Sequence, residues 1–172
     1  MSKFEVKAKI AYPVEVVFEH FMELAKDSFN KFDVKNPVGA KSKRVYKKVK
    51  TGDIYIESKV TGFAENEFYS TETVLLSSVY KSRYEFKEVQ DYVTEITLLE
   101  EQDLYGVMNK VGFMLQRFGA KKKIQRKLDG TAKALEEYID KEIAKKAKKD
   151  NKALEEVNEI EEVSVTVEAT EE

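Results

Sequence analysis

From Lys41 to Gln102 the chain contains no proline, and Gly52 with Asp53, Gly62 to Asn66, Ser77 with Ser78, and Gln90 with Asp91 cut it into short segments. Gly, Asn, Asp and Ser favour turns because they tolerate left-handed backbone or bond their own main chain. A proline-free stretch keeps every N–H available to a ladder. Between the turns the side chains alternate. Ile54, Ile56 and Val60 share one parity, as do Tyr80, Tyr84 and Phe86, and then Tyr92, Ile96 and Leu98; Tyr55, Glu57, Lys59, Lys81, Arg83, Glu85 and Glu95 take the other. A period of two is that of a strand with one buried and one wet face. Parallel neighbours need crossovers of a dozen residues or more, which these gaps lack. The pattern predicts five consecutive antiparallel strands.

Before the meander, Phe4, Val6, Ala8 and Ile10 alternate with Glu5, Lys7 and Lys9, which predicts a first strand. Pro13 suits the first turn of a helix, where its missing N–H costs nothing. Val14, Val17, Phe18, Phe21 and Leu24 then follow at helical spacing. Residues 27–39 hold Asn30, Asn36, Pro37 and Gly39 and read as a connection. After Asp103 the period becomes helical again, through Val107, Met108, Val111, Met114, Leu115 and Phe118, then Ile124, Leu128, Leu135, Ile139 and Ile143. Glycine weakens a helix interior, so a break at Gly119 and a bend near Gly130 are expected. Leu128, Leu135, Ile139 and Ile143 are the expected buried stripe.

Charge is segregated along the 172 residues. Residues 1–119 carry 18 basic and 18 acidic side chains, residues 120–149 carry 11 and 5, and residues 150–172 carry 1 and 9. The last block has no aromatic residue and buries too little to offset its ordering entropy, which predicts a mobile acidic tail. Leu154, Val157 and Ile160 offer a helical stripe there and Val163, Val165 and Val167 a strand-like one. The expected division is therefore a domain over 1–149 and a tail over 150–172. With nineteen aromatic residues the remainder has ample material for a core, so wholesale disorder is excluded. No apolar run approaches membrane-spanning length and no signal segment opens the chain, so a soluble, cytoplasmic protein without stable membrane insertion is expected. Cysteine is absent and His20 is the only histidine. Disulfides, thiolate metal sites and paired imidazole ligands are thereby excluded, and no metal, cofactor or catalytic residue is expected.

The order strand, helix, loop, antiparallel meander, long amphipathic helix is an α+β helix-grip: a curved antiparallel sheet of about six strands wrapped on a long C-terminal helix. At Ile10-Ala11-Tyr12-Pro13-Val14-Glu15-Val16-Val17-Phe18, and at Leu128 through Ile139, the chain resembles the START-like or SRPBCC superfamily, which includes lipid-transfer domains, birch-pollen-allergen-type proteins and polyketide cyclase-like proteins. Within it the chain looks most like a bacterial domain family of unknown function, DUF3284. The resemblance covers about residues 1–147. It implies a pocket between the sheet and the last helix, used for an apolar or amphipathic small molecule. Relatives usually have a seventh strand and a second short helix, where six strands are counted here.

Such a pocket needs apolar walls and a few convergent polar groups. If the alternation holds, Ser58, Ser70, Glu72, Ser82 and Thr94 share the inward face with Ile56, Val60, Val74, Tyr84, Phe86 and Ile96, and Phe21, Met114 and Phe118 come from the helices. These are the expected ligand-binding residues. A bulge near Val74, Leu75 and Leu76 would swap the faces and expel Glu72. His20 falls at the edge of its helical stripe, where a solvated role is expected. Lys121, Lys122, Lys123, Arg126 and Lys127 form a basic helix face with no nucleic-acid fingerprint beside it, so no nucleic-acid partner is expected. Three readings follow: a binding module for an apolar or amphipathic ligand; a cyclase-like or hydrolase-like enzyme in which pocket groups such as Glu72 handle protons; and a cavity-free interaction protein whose basic helix docks an acidic partner. The oligomeric state is not legible in the sequence.

Overall fold

In the computed structural model, the backbone is described for residues 2–50, 52–103 and 110–168, and the side chains for the first two ranges and for 119–149. The elements run β1 (Ser2–Ile10), α1 (Val14–Lys26), β2 (Lys41–Val49), β3 (Gly52–Ala64), β4 (Phe68–Leu75), β5 (Ser78–Gln90), β6 (Val93–Asp103) and α2 (Lys110–Glu168). The strands form one antiparallel sheet in the order β1-β6-β5-β4-β3-β2. Every consecutive pair in the meander is a hairpin, and β1 closes on β6 from Ser2 opposite Gln102 to Ile10 opposite Thr94.

Two compact units divide the chain, Met1–Glu136 and Glu137–Glu172. In the first, the inner face of the sheet carries Phe4, Val6 and Ile10 from β1, Thr94, Ile96 and Leu98 from β6, Tyr84 and Phe86 from β5, Tyr69 from β4 and Val60 from β3, all buried. Helix α1 lays Val17, Phe18, Phe21 and Met22 on this face. Phe18 and Phe21 both meet the Phe86 ring edge-on with centroids 5.0 Å apart. Pro13 stands at the helix N-cap, one position before the first turn, and its carbonyl accepts the Val17 N–H at 3.0 Å. From α2, Ile124, Leu128, Ala132 and Leu135 are buried at helical spacing. The Gln125 side chain donates to the Lys7 carbonyl of β1 at 2.8 Å. This is the helix-grip that the order of elements implies.

In the second unit α2 continues, with Ile139 buried. Ile143, expected in the buried stripe, is 51% exposed. The stripe stops at Ile139 because only small Ala144 and Ala147 and a run of lysines follow it. The expected break at Gly119 is absent: α2 is helical through both Gly119 and Gly130. The acidic segment 150–172, expected as a mobile tail, lies outside the residues described with side chains.

Three local details correct the alternation. Tyr92, counted as inward with Ile96 and Leu98, sits in the β5–β6 turn at φ 61° and is 71% exposed. Gln90 and Val93 close that hairpin, which leaves Tyr92 outside the ladder. A bulge between Val60 and Gly62 lets Val60 and Phe63 both face inward, with Phe63 5.8 Å from Phe18. A Cβ on Gly62 would stand 2.7 Å from Ser70 Oγ and 3.1 Å from the Phe68 ring, so only glycine fits the bulge unstrained. The third detail concerns β4 and decides which residues can form a site.

Candidate functional site at the inner face of the sheet

The β4–β5 hairpin closes with Leu75 opposite Ser78. Leu76 and Ser77 are therefore the turn, and Leu76 takes φ 55°. That register puts Tyr69, Thr71 and Thr73 opposite Tyr84, Ser82 and Tyr80, on the inner face. Ser70, Glu72 and Val74 consequently face outward, against the expectation from parity. Packing explains the choice. Tyr69 joins an inner aromatic cluster, with centroids 5.6 Å from Phe21 and 6.4 Å from Phe32. Phe68, one position earlier, lies outside under Arg83, whose guanidinium carbon is 3.6 Å from the ring centroid. Ser70 and Glu72 line an outer hollow of about 370 Å³ with Lys81 and Arg83, and Glu72 stands 3.9 Å from Lys81. Glu72 and Val74 line a second outer hollow with Lys43 and Glu57.

The remaining expected residues meet on the inner face, each for a register reason. Ile56, Ser58 and Val60 come from β3, Ser82, Tyr84 and Phe86 from β5, Thr94 and Ile96 from β6, and Phe21 from α1. Met114 and Phe118 lie outside the residues described with side chains. Ser58 and Thr73 share a hydroxyl–hydroxyl hydrogen bond of 2.9 Å. Thr94 is fully buried and donates to the Tyr12 carbonyl at 2.8 Å, so its hydroxyl fastens the fold. His20 is half-buried on α1 with Nδ1 2.8 Å from the Val16 carbonyl, a contact within its own helix.

Three polar residues at this face are not among the expected site residues, Lys127 of α2 being expected only as part of a basic helix face. Glu100 is 7% exposed and follows Thr94, Ile96 and Leu98 in the inward parity of β6, so the alternation does signal it. Its carboxylate accepts from the Gln102 amide at 2.7 Å and lies 3.5 Å from the Lys127 ammonium of α2. Burial by itself pulls Lys127 down, but the Tyr84 hydroxyl and the Glu100 carboxylate beside it lift its pKa above the ordinary lysine value. Tyr69 is the third, 3% exposed, and its hydroxyl has no hydrogen-bond partner among the described residues. Burial pushes its pKa well above the ordinary tyrosine value, with Tyr84 adding to the rise. The face thus grades from an aromatic wall at Phe18, Phe21 and Phe86 to a polar end at Tyr84, Glu100 and Ser82. Among the described residues no group of three or more His, Asp or Glu is placed to hold a metal ion.

Residues 4–120 match the family described as Domain of unknown function (DUF3284). The chain belongs to this DUF3284 family. The match bears out the resemblance to DUF3284 and covers the first of the two segments that carried it, Ile10–Phe18, while Leu128–Ile139 lies beyond it. No curated protein matches the chain. Among solved structures it is similar to the Mll3558 protein from Rhizobium loti, at TM-score 0.54 and 15% identity over 76% of this chain and 94% of that one. Protein MLL2253 from Mesorhizobium loti is similar at TM-score 0.54 and 14% identity, over 81% and 98%. A START superfamily protein from Mycobacterium smegmatis gives TM-score 0.47 and 15% identity over 81% and 97%. At these identities the first two likenesses speak for the fold alone, and DUF3284 membership carries no activity with it.

Proposed function

We propose that this DUF3284 protein is a binding module that holds an apolar or amphipathic small molecule against the inner face of its sheet. The observation that carries the reading is the mixed chemistry of that face. A core closed only by packing gains nothing from hydroxyls, since each buried one without a partner costs about 1–3 kcal/mol. Here Thr71, Tyr80 and Ser82 are half-buried on the same face as the aromatic wall, with Ser58 and Thr73 bonded to each other, beside the buried Glu100 and Tyr69. Apolar walls with a few polar groups are the composition of small-molecule sites. The cyclase-like alternative loses the residue it was built on, because Glu72 faces outward.

Native mass spectrometry of the purified protein tests the reading, together with titration by an environment-sensitive apolar dye. A retained small-molecule mass, or saturable dye binding at about one site per chain, supports it. A protein that retains nothing and binds no dye sinks it in favour of a filled core.

A further inference from the structure

The β2–β3 hairpin is cationic and apolar at once. Lys43, Arg44, Lys47, Lys48 and Lys50 follow one another closely, and Asp53 is the only acidic residue between Asp33 and Glu57. Lys43 is engaged, by the Glu57 carboxylate at 2.7 Å and by the Tyr55 ring at 4.7 Å from its centroid. Arg44, Lys47, Lys48 and Lys50 make no ion pair among the described residues. Every residue of β2 except Ser42 is exposed, and Tyr46, Val49 and Tyr55 present large apolar groups to solvent. Lysines alone would keep an edge strand from pairing with its own copy. Exposed apolar side chains do not serve that purpose, and where they cluster they mark an interaction surface.

A second turn stands beside this hairpin. Arg44 and Leu75 both lie opposite Ile56, one on each side of β3, so the β2–β3 and β4–β5 turns are at the same end of the sheet. Two-residue hairpin turns favour Gly or Asn, which accept positive φ. Here Leu76 takes φ 55° and is 72% exposed. A bulky residue in that conformation is strained, and at that exposure it gains little from the core to offset the strain.

We propose that this corner of the sheet, the β2–β3 hairpin with Leu76 beside it, docks on the surface of an anionic lipid bilayer. Arg44, Lys47, Lys48 and Lys50 meet the headgroups, whose charge complements theirs. Tyr46 has the apolar ring and polar tip that suit the membrane–water interface, and Val49 and Leu76 supply aliphatic contact. The contact is peripheral, since no helix among the described residues is long and apolar enough to cross a membrane. The aliphatic groups favour a bilayer over a nucleic acid, whose bases stack on aromatic side chains. The bulge between Val45 and Lys47 interrupts the strand, which favours a bilayer over an acidic peptide added as a further strand. Docking of this kind goes beyond the binding-module reading and does not depend on it, because it needs no ligand on the inner face.

Sedimentation of the full chain with lipid vesicles tests the docking. Vesicles of phosphatidylcholine and phosphatidylglycerol in equal parts should carry the protein down, vesicles of phosphatidylcholine alone should not, and added salt should release it. Lys47→Glu with Lys48→Glu should weaken binding at least tenfold, since each cation near such a surface contributes about fivefold. Leu76→Asn and Tyr46→Ser should each weaken it about threefold and leave its salt dependence unchanged. Asparagine suits the left-handed turn, so Leu76→Asn should melt at the same temperature or higher, which separates lost docking from lost folding. Lys121→Glu with Lys122→Glu, exposed cations of α2, should cause a much smaller loss than the hairpin pair. No binding to the mixed vesicles, equal binding to both kinds, a loss as large from the α2 pair, or binding indifferent to both Leu76→Asn and Tyr46→Ser overturns the docking. A single-stranded oligonucleotide bound by the hairpin where the mixed vesicles are not would overturn it too, in favour of nucleic acid.

Discussion

Thr94 Oγ1 donates to the carbonyl oxygen of Tyr12 at 2.8 Å, joining β6 to the corner between β1 and α1 across 82 positions of sequence. Pro13 offers no N–H to hold the corner and α1 has no side-chain cap, so this bond ties the corner to the sheet. A fully buried threonine therefore fastens the entry to α1 from another strand. Thr94→Val keeps the shape and removes the donor, and should cost about 1–2 kcal/mol in urea unfolding. Thr94→Ser should recover most of that loss. Equal stability of Thr94→Val and the parent would mean that water replaces the bond.

Leu135 tests the grip. It is fully buried on α2, together with Leu128 and Ile124. Leu135→Ala should cost roughly 2–5 kcal/mol, the transfer term plus the cavity left behind. A loss below about 0.5 kcal/mol in denaturant titration would show that α2 does not close the sheet in solution.

The architecture was legible because β1 offers only one apolar parity and β5 keeps its aromatic residues on one, so burial has one favoured solution. Strand β4 offers two. Phe68 with Tyr69 and Val74 with Leu75 are doublets that place apolar groups on both faces, and a one-residue slip exchanges the faces completely. Only the two-residue turn at Leu76 and the fit of Tyr69 among Phe21, Phe32 and Tyr84 decide the register, and both depend on tertiary contacts. The same slip moved Ser70, Glu72 and Val74 out of the expected site. Glu100 was available from the parity of β6, whereas nothing local to Lys127 marks it among the other lysines of its helix. Glu100 and Lys127 are 27 positions apart, and only the docking of α2 makes them neighbours.

The open edge of the sheet is guarded by charge. Among the described residues, strand β2 has β3 on one side and only the single bridge from Lys41 to Asn30 on the other. It carries Lys41, Lys43, Arg44, Lys47 and Lys48 with no acidic residue, while Val45 and Tyr46 are 43% and 61% exposed. Pairing two such edges would oppose like charges, a common device against edge-to-edge association. Replacing Lys43, Lys47 and Lys48 together by Thr should make the protein self-associate as its concentration rises. Light scattering coupled to size exclusion reads the result; an unchanged mass across the concentration series would show that the lysines do not protect this edge.

The acidic segment beyond Asp150 is expected to be dispensable for folding, since it has no aromatic residue and eight acidic ones against a single lysine. A chain ending at Asp150 should melt within a degree or two of the full one. A drop of about 5 °C or more, or slow amide exchange from Val163 to Val167 in the full chain, would show that the valines contribute a folded element.

Ser82 gives the sharpest test of whether the inner face holds a ligand or only packs. It is half-buried between Tyr80 and Tyr84 on β5, opposite Thr71 on one side and Glu100 on the other. Ser82→Phe adds a ring to the space that the binding-module reading assigns to the ligand. Dye affinity should then fall at least tenfold, about 1.4 kcal/mol, with little change in stability because the ring replaces the ligand. A face already filled by protein would respond in the opposite way: overpacking would cost roughly 1–3 kcal/mol of stability, and there would be no dye affinity to lose. Measuring both quantities on the same variant separates the two cases, since each reading predicts a change in the quantity that the other leaves alone.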